Sequence, residues 1–331
     1  MMSIVRHLVN AKTAVAIAVA GSLVGTVAWA ADDLNVRFSW KMKGEYAHLY
    51  LAKERGYFDD KNLNVRMGEG AGSQAALGAL VQGQEDVVIM PGVFAMSAIQ
   101  QGMPIKIIAL HHPRTPAVFI SHPDNPVNEP QDLEGKKLAH AVGETGTSYL
   151  GVFCEVNNVD CERIEVVTMA AQARVPAFLQ KQVDVVSVYK SNDLPIIETD
   201  VGQQFPVLDL GLAAPGMAVV SSDAVIAEKS DALQRFLGAV EQGISDAKAD
   251  PAAAAQAIKS EWPEGPSLEA IQAQVEATMA AIPDREGKPY GWIDPADIEA
   301  ALELLQTEED FGEPQPADNY YTNELLDGLA G

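Results

Sequence analysis

Cysteine is nearly absent from this 331-residue chain, which has only Cys154 and Cys161. Two thiols without a neighbouring histidine make a poor metal site, since a closed zinc site takes four ligands. Seven positions apart, they leave two readings open: a local disulfide in an oxidising compartment, or two separate thiols. Basic residues are scarce as well, 23 against 46 acidic ones, for a formal charge of −23. That balance repels nucleic acid and anionic membrane surfaces. It does not fix the charge of a ligand in a cleft, because at physiological salt a surface charge is felt over only about 8 Å. After residue 30 no stretch is long and apolar enough to span a bilayer. Nor does any serine, histidine and acid arrangement occur in a hydrolase motif context.

The first thirty residues carry the marks of an export signal. Arg6 and Lys12 precede an apolar stretch from Ala14 to Val27, which ends in Ala28-Trp29-Ala30. The mature chain is expected to start at Ala31 and to reside in the periplasm. An uncleaved anchor is the alternative, although Gly21, Ser22, Gly25 and Thr26 interrupt the apolar run. No cysteine follows the cleavage position, so no lipid tether can form there. Loss of Arg6 and Lys12, the only charges in the segment, takes the formal charge from −23 to −25. The remaining roughly 300 residues exceed one compact core, so two lobes are expected.

From Leu34 strands and helices alternate. Leu34 to Phe38 reads as a strand, Tyr46 to Arg55 as a helix stopped by Gly56, Leu63 to Met67 as a strand, Gln74 to Gln82 as a helix and Asp86 to Met90 as a strand. Such alternation implies a parallel sheet covered by helices on both faces. A faint repeat supports two lobes of related topology: Ala79 to Val88 is echoed by Ala177 to Val186, each a helix end, a tight turn and a buried strand. Between the copies, His111 to Pro116 reads as the first crossing between lobes. Phe205 to Leu210 followed by Ala218 to Val220 reads as the return. From Ser230 onward the helical, Ala-rich chain is expected to pack back on the first lobe.

In open parallel sheets ligands bind beyond the carboxyl ends of the strands, which makes the candidate list short. Trp40, Glu45 and Tyr46 follow the first strand, and Trp40 offers a flat apolar face for a ring. Lys41 and Lys43, in the same segment, read as solvated surface charges. Gly72 and Ser73 open the next helix, whose free N–H groups suit a polar or anionic group. The surrounding glycines superficially resemble a dinucleotide loop, but the last glycine is missing and no acid ends the next strand. Pro91 and Gly92 follow the third strand and allow close backbone approach. In the second lobe Gly143, Thr145, Gly146, Thr147 and Ser148 form the best polar clamp, with hydroxyls and N–H groups converging at a helix start. Tyr189 and Lys190 mirror Pro91 and Gly92, so closure would bring Tyr189 against a ring resting on Trp40. His111 and His112 read as hinge or surface residues, since neighbours in an extended segment point to opposite sides.

Several stretches also carry a family resemblance: Phe38-Ser39-Trp40, Glu45 to Phe58, Leu63-Asn64-Val65, Leu133 to Leu138, and Tyr320 to Leu326 near the carboxy terminus. Together they resemble the ABC-transporter periplasmic solute-binding proteins related to the yeast thiamine-pyrimidine synthases, with taurine, alkanesulfonate and nitrate binders as more distant kin. The resemblance implies an α/β type II periplasmic-binding-protein fold, two lobes with mainly parallel sheets and two hinge crossings. Its expected organisation is a signal at 1–30, lobe I at 31–113 and 214–331, and lobe II at 114–213. It further implies a monomer that captures a small aromatic heterocycle, such as a pyrimidine-like thiamine precursor, and passes it to an inner-membrane ABC permease. A sulfonate or an aromatic carboxylate would satisfy the same helix starts. The family's synthases carry a cluster of cysteines that this chain lacks, so a binding protein without catalysis, cofactor or metal is expected ahead of an enzyme of thiamine-pyrimidine metabolism.

Overall fold

A computed structural model describes residues 31–141, 145–307 and 311–329. The export-signal reading at 1–30 lies outside them. The first half-sheet builds in chain order from β1 (Asp32–Phe38), α1 (Ala47–Glu54), α2 (Tyr57–Asp60), β2 (Leu63–Gly68) and α3 (Ser73–Val81). It continues with β3 (Val87–Pro91), α4 (Gly92–Gln100) and β4 (Ile105–Leu110). The chain then crosses to β5 (Ala117–Ser121), β6 (Lys137–His140), α5 (Thr145–Ser148), α6 (Leu150–Asn157) and β7 (Glu165–Thr168). α7 (Arg174–Leu179), β8 (Val185–Tyr189), α8 (Asp193–Val201) and β9 (Val207–Asp209) complete that lobe. After the return come β10 (Met217–Ser222), α9 (Asp223–Ala249), α10 (Pro251–Glu261), α11 (Leu268–Ala281), α12 (Pro295–Leu305) and α13 (Glu324–Asp327).

These strands make two five-stranded sheets, ordered β2-β1-β3-β10-β4 and β7-β6-β8-β5-β9. The two orders are the same pattern, with β6, β7, β8, β5 and β9 standing where β1, β2, β3, β10 and β4 stand. Neither sheet is wholly parallel: β10 runs antiparallel to β3 and β4, and β5 runs antiparallel to β8 and β9. The reason is directional. The chain enters each of these strands from the crossing, at the edge where the carboxyl ends of the other strands lie, and must run the opposite way.

The repeated segment folds twice into one local structure. Gly83 and Lys181 occupy corresponding positions, and both adopt a left-handed backbone, φ +72° and +58°. Gln84 Nε2 donates to Gln82 Oε1 at 3.1 Å, and Gln182 Nε2 to Gln180 Oε1 at 2.9 Å. Asp86 and Asp184 then each pin the neighbouring strand, accepting the N–H of Asn35 at 2.9 Å and of Lys137 at 2.8 Å. In β3 and β8 the next four residues are buried and, Ser187 apart, are Val, Ile and Met, as expected for central strands covered on both faces.

The helices after β10 pack on the first sheet. Phe236, Val240 and Ile244 of α9, Ile258 of α10 and Ile271 and Val275 of α11 share a core with Leu34, Val36, Phe38 and Ile89. The second sheet has its own cluster around Ile120, Phe178, Val186 and Phe205. A further cluster runs through both lobes and includes Leu110, Ala117, Leu210, Leu212 and Ala214 at the crossings. Cys154 and Cys161 are bonded, Cα–Cα 5.8 Å, tying the end of α6 to the turn before β7. Among the described residues no helix is long and apolar enough to cross a membrane.

Asp86 is the better-connected copy of the strand-pinning acid, because its second oxygen accepts Lys229 Nζ at 2.7 Å. Asp86→Ala leaves the Asn35 N–H without its acceptor and the Lys229 ammonium with the Asp33 carbonyl in place of a carboxylate. It should lower unfolding free energy by about 1.5–3 kcal/mol in urea titrations, the range for hydrogen bonds to a charged group. A loss no larger than that of an ordinary surface substitution would contradict the pinning role.

Candidate functional site

The carboxyl ends of β1, β3 and β8 face a shared cleft of about 710 Å³. That volume falls within the usual range for small-molecule pockets, roughly 300–1,000 Å³. Its apolar walls include Trp40, Phe94, Tyr189, Pro91, Met90 and Met217, and its polar lining includes Ser73, Gln74, Arg174, Asn192 and Asp193. Lys43, Glu45 and Tyr46 form the floor. Among the described residues no group of three or more His, Cys, Asp or Glu side chains is placed to hold a metal ion.

Lys43 differs most from its sequence reading. It is not a solvated surface charge: its side chain is only 12% exposed and lies 2.6 Å from Glu45 Oε2, whose side chain is 7% exposed. Its ammonium also sits 5.4 Å from the centroid of the Tyr46 ring and 5.9 Å from that of Tyr189, so it touches both lobes. Burial opposes the charge on Lys43, but Glu45, Tyr46 and Tyr189 together outweigh it and hold the ammonium above its ordinary pKa. Burial likewise opposes the charge on Glu45, and Lys43 holds that carboxyl below its usual range. Lys41 is 67% exposed, as a surface charge should be.

Tyr46 is buried flat against Phe38, with ring centroids 4.0 Å apart, and burial pushes its hydroxyl up to about 12. Trp40, by contrast, is 55% exposed at the cleft. On the other lobe Asp193 Oδ2 accepts the Tyr189 N–H at 3.0 Å, and burial raises its carboxyl above the usual range. Arg174 donates to Ser187 O at 2.6 Å.

Of the residues expected from strand exits, Trp40, Glu45, Tyr46, Gly72, Ser73, Pro91 and Tyr189 line this cleft. Gly72 and Ser73 begin α3 there, with Ala76 N–H already bonded to Gly72 O at 3.1 Å. Gly92 does not line it: its N–H is bonded to Gly216 O at 2.6 Å, and Val93 N–H to Pro215 O at 3.1 Å, so the segment before β10 occupies the start of α4. Lys190 turns away and lines a separate crevice between α8 and α11, together with Glu198, Glu269 and Glu276. Gly143 and the side chains of Thr145 and Ser148 lie outside the described residues. Thr147 is buried, its Oγ1 2.5 Å from His140 Nδ1, and neither it nor Gly146 belongs to the described cleft lining. Arg174, Asn192, Asp193 and Phe94 were not anticipated. The strand-exit rule could have found all four, since Phe94 follows β3, Arg174 follows β7, and Asn192 and Asp193 follow β8.

His111 and His112 occupy the first crossing and are buried, not at the surface. His112 Nε2 donates to Thr278 O at 3.2 Å, and its Nδ1 faces Glu45 Oε1 at 3.9 Å. His48 lies edge-on to His111, ring centroids 5.7 Å apart. Burial lowers the pKa of all three histidines, and His48, further depressed by His112 and partly restored by Glu45, is pushed down to about 4.

Residues 43–254 match the model of the family described as NMT1/THI5 like. The chain belongs to that family. It is 23% identical over 227 residues to the riboflavin-binding protein RibY of Chloroflexus aurantiacus. The match spans 66% of this chain and 64% of RibY, somewhat under two thirds of that relative's length. It is also 23% identical over 238 residues to the 4-amino-5-hydroxymethyl-2-methylpyrimidine phosphate synthase of Aspergillus parasiticus, covering 67% of this chain and 69% of the synthase. The NMT1/THI5-like chain superposes on the periplasmic aliphatic sulphonate binding protein SsuA of Escherichia coli with a TM-score of 0.65 at 16% identity, over 89% of this chain and 94% of SsuA. The fold is thus the two-lobed fold of a periplasmic binding protein.

The histidines give the cleft floor an acid-sensitive neighbour. His48 is neutral when folded, whereas an unfolded histidine takes a proton as pH drops below about 6.5. Between about 6.5 and 4 the unfolded chain binds more protons, so stability is lost as pH falls, about 3 kcal/mol of it from His48 by pH 4. Thermal melts across this window should fall steeply, and His48→Leu should flatten the slope. An unchanged slope in the variant would show that His48 does not carry it.

Proposed function

We propose that this chain is the exported solute-binding component of an ABC uptake transporter. It takes a small, flat heterocycle of pyrimidine-like size into the cleft and hands it to an inner-membrane permease. The observation that supports this most directly is the cleft itself, which draws aromatic surface from both lobes, Trp40 and Phe94 from one and Tyr189 from the other. Lys43, Glu45, Arg174 and Asp193 supply charge and directed hydrogen bonds beside those rings. A ring stacked on Trp40 gains about 0.5–1.5 kcal/mol beyond its buried area, and a second ring, Tyr189, comes into play only when both lobes are near it. Contact made in the closed arrangement alone is what shifts the population toward closure.

The relatives' names point to flat heterocycles, riboflavin in one case and a pyrimidine phosphate in the other. The synthase among them supports a second reading, an enzyme acting on such a ring. A thermal-shift screen of residues 31–331 against riboflavin, aminopyrimidines, alkanesulfonates and nitrate separates the ligand classes. A ligand at a hundred times its dissociation constant adds about 2.7 kcal/mol of stability. Heterocycles should raise the melting temperature and sulfonates should not; the reverse result overturns the stacking proposal. Trp40→Ala and Tyr189→Ala should each weaken binding about tenfold, or about 1.4 kcal/mol. Mass spectrometry of the bound heterocycle after incubation should recover it unchanged, whereas conversion would favour the enzyme.

A further inference from the structure

Gln274 lies midway along α11, with Ile271, Val275 and Met279 of the same helix packed into the first lobe's core. It is fully buried. A glutamine in that position is tolerated only if its carboxamide is paired, because an unpaired buried amide carries a penalty of a few kcal/mol. The pairing reaches in two directions. Gln274 Oε1 accepts the N–H of Gly44 at 3.0 Å, in the segment between Lys43 and Glu45. Gln274 Nε2 donates to the backbone oxygen of Asn192 at 2.8 Å and to its Oδ1 at 2.7 Å. Asn192 belongs to the second lobe, immediately before Asp193, and lines the cleft.

One amide therefore ties the floor segment of lobe I to the β8–α8 turn of lobe II. Gly44 is shaped for it: a Cβ there would stand 2.6 Å from Gln274 Oε1. One turn further along α11, Thr278 continues the contact, its Oγ1 3.5 Å from Ser191 O and its carbonyl accepting His112 of the first crossing. Gln274 itself is not part of the cleft lining.

We propose that Gln274 is the positioning residue that sets the separation of the two lobes, acting through Asn192 and Gly44 and touching no ligand. It places Lys43 and Glu45 in register with Tyr189 and Asp193 before a ligand arrives. This goes beyond ligand capture, and a test without ligand keeps its failure distinct from a failure of the proposed function.

Spin labels at Val81→Cys in α3 and Val166→Cys in β7, both exposed and on different lobes, report lobe separation by electron–electron resonance in ligand-free residues 31–331 with the native disulfide intact. Gln274→Ala should broaden the distance distribution and shift it by several ångströms, and Asn192→Ala, which keeps the backbone oxygen as an acceptor, should do so in the same direction but less. The double variant should change it no further than Gln274→Ala alone, since that variant already removes both bonds to Asn192. Gln274→Glu keeps an oxygen for Gly44 N–H but loses both bonds to Asn192, so its distribution should match that of Gln274→Ala. Should Gln274→Ala fail to fold, Gln274→Glu and Asn192→Ala carry the test. A lowered melting temperature with an unchanged distribution, or broadening that adds in the double variant, overturns the proposal.

Discussion

Lys43 and Glu45 form an ion pair that water barely reaches, and the cleft floor is built around it. Burying either charge alone would be prohibitive, since the effective penalty is several kcal/mol per ion even after relaxation. Each therefore fixes the other, and the backbone between them is fixed in turn by Gln274. The lysine then stands within reach of an aromatic ring on each lobe, Tyr46 and Tyr189. A charge so held is a poor free counter-ion but a good fixed dipole with its partner. The polar character of the floor is set before anything binds, as preorganised sites require.

Much of the fold could be read from residue patterns because central strands and helix ends leave local marks. Ala79 to Val88 and Ala177 to Val186 hold a helix end, a glutamine-flanked turn and a strand-pinning acid at the same offsets, and both fold alike down to the Gln–Gln hydrogen bond. The glycine of one turn is a lysine in the other, held at φ +58°. That difference hides the copy from any reading that demands glycine for a left-handed residue. Strand direction was less legible. Alternation of strands and helices implies parallel pairing, and nothing in Ala117–Ser121 or Met217–Ser222 announces that these two run the other way.

The candidate site was half legible, for a physical reason. Trp40, Ser73 and Tyr189 follow strands and are found by topology alone. Lys43 was misread because a lysine two positions from Glu45 in a polar turn looks solvated, whereas Tyr189, far along the chain in the other lobe, stands against its ammonium. Gly92 was misread for a similar reason, since the carbonyl of Gly216 that takes its N–H arrives from the return crossing. What sequence-local reasoning misses is the lining or capping contributed by distant segments.

The order of strands in the first sheet also constrains how the chain matures. β10 lies between β3 and β4, so the first sheet stays split until Met217–Ser222 have emerged. The second sheet, from Ala117 to Asp209, is contiguous and has no such wait. Pairing across so long a stretch is slow, because the intervening loop must be closed before any contact rewards it. The second sheet can therefore close while the first still waits for the return crossing.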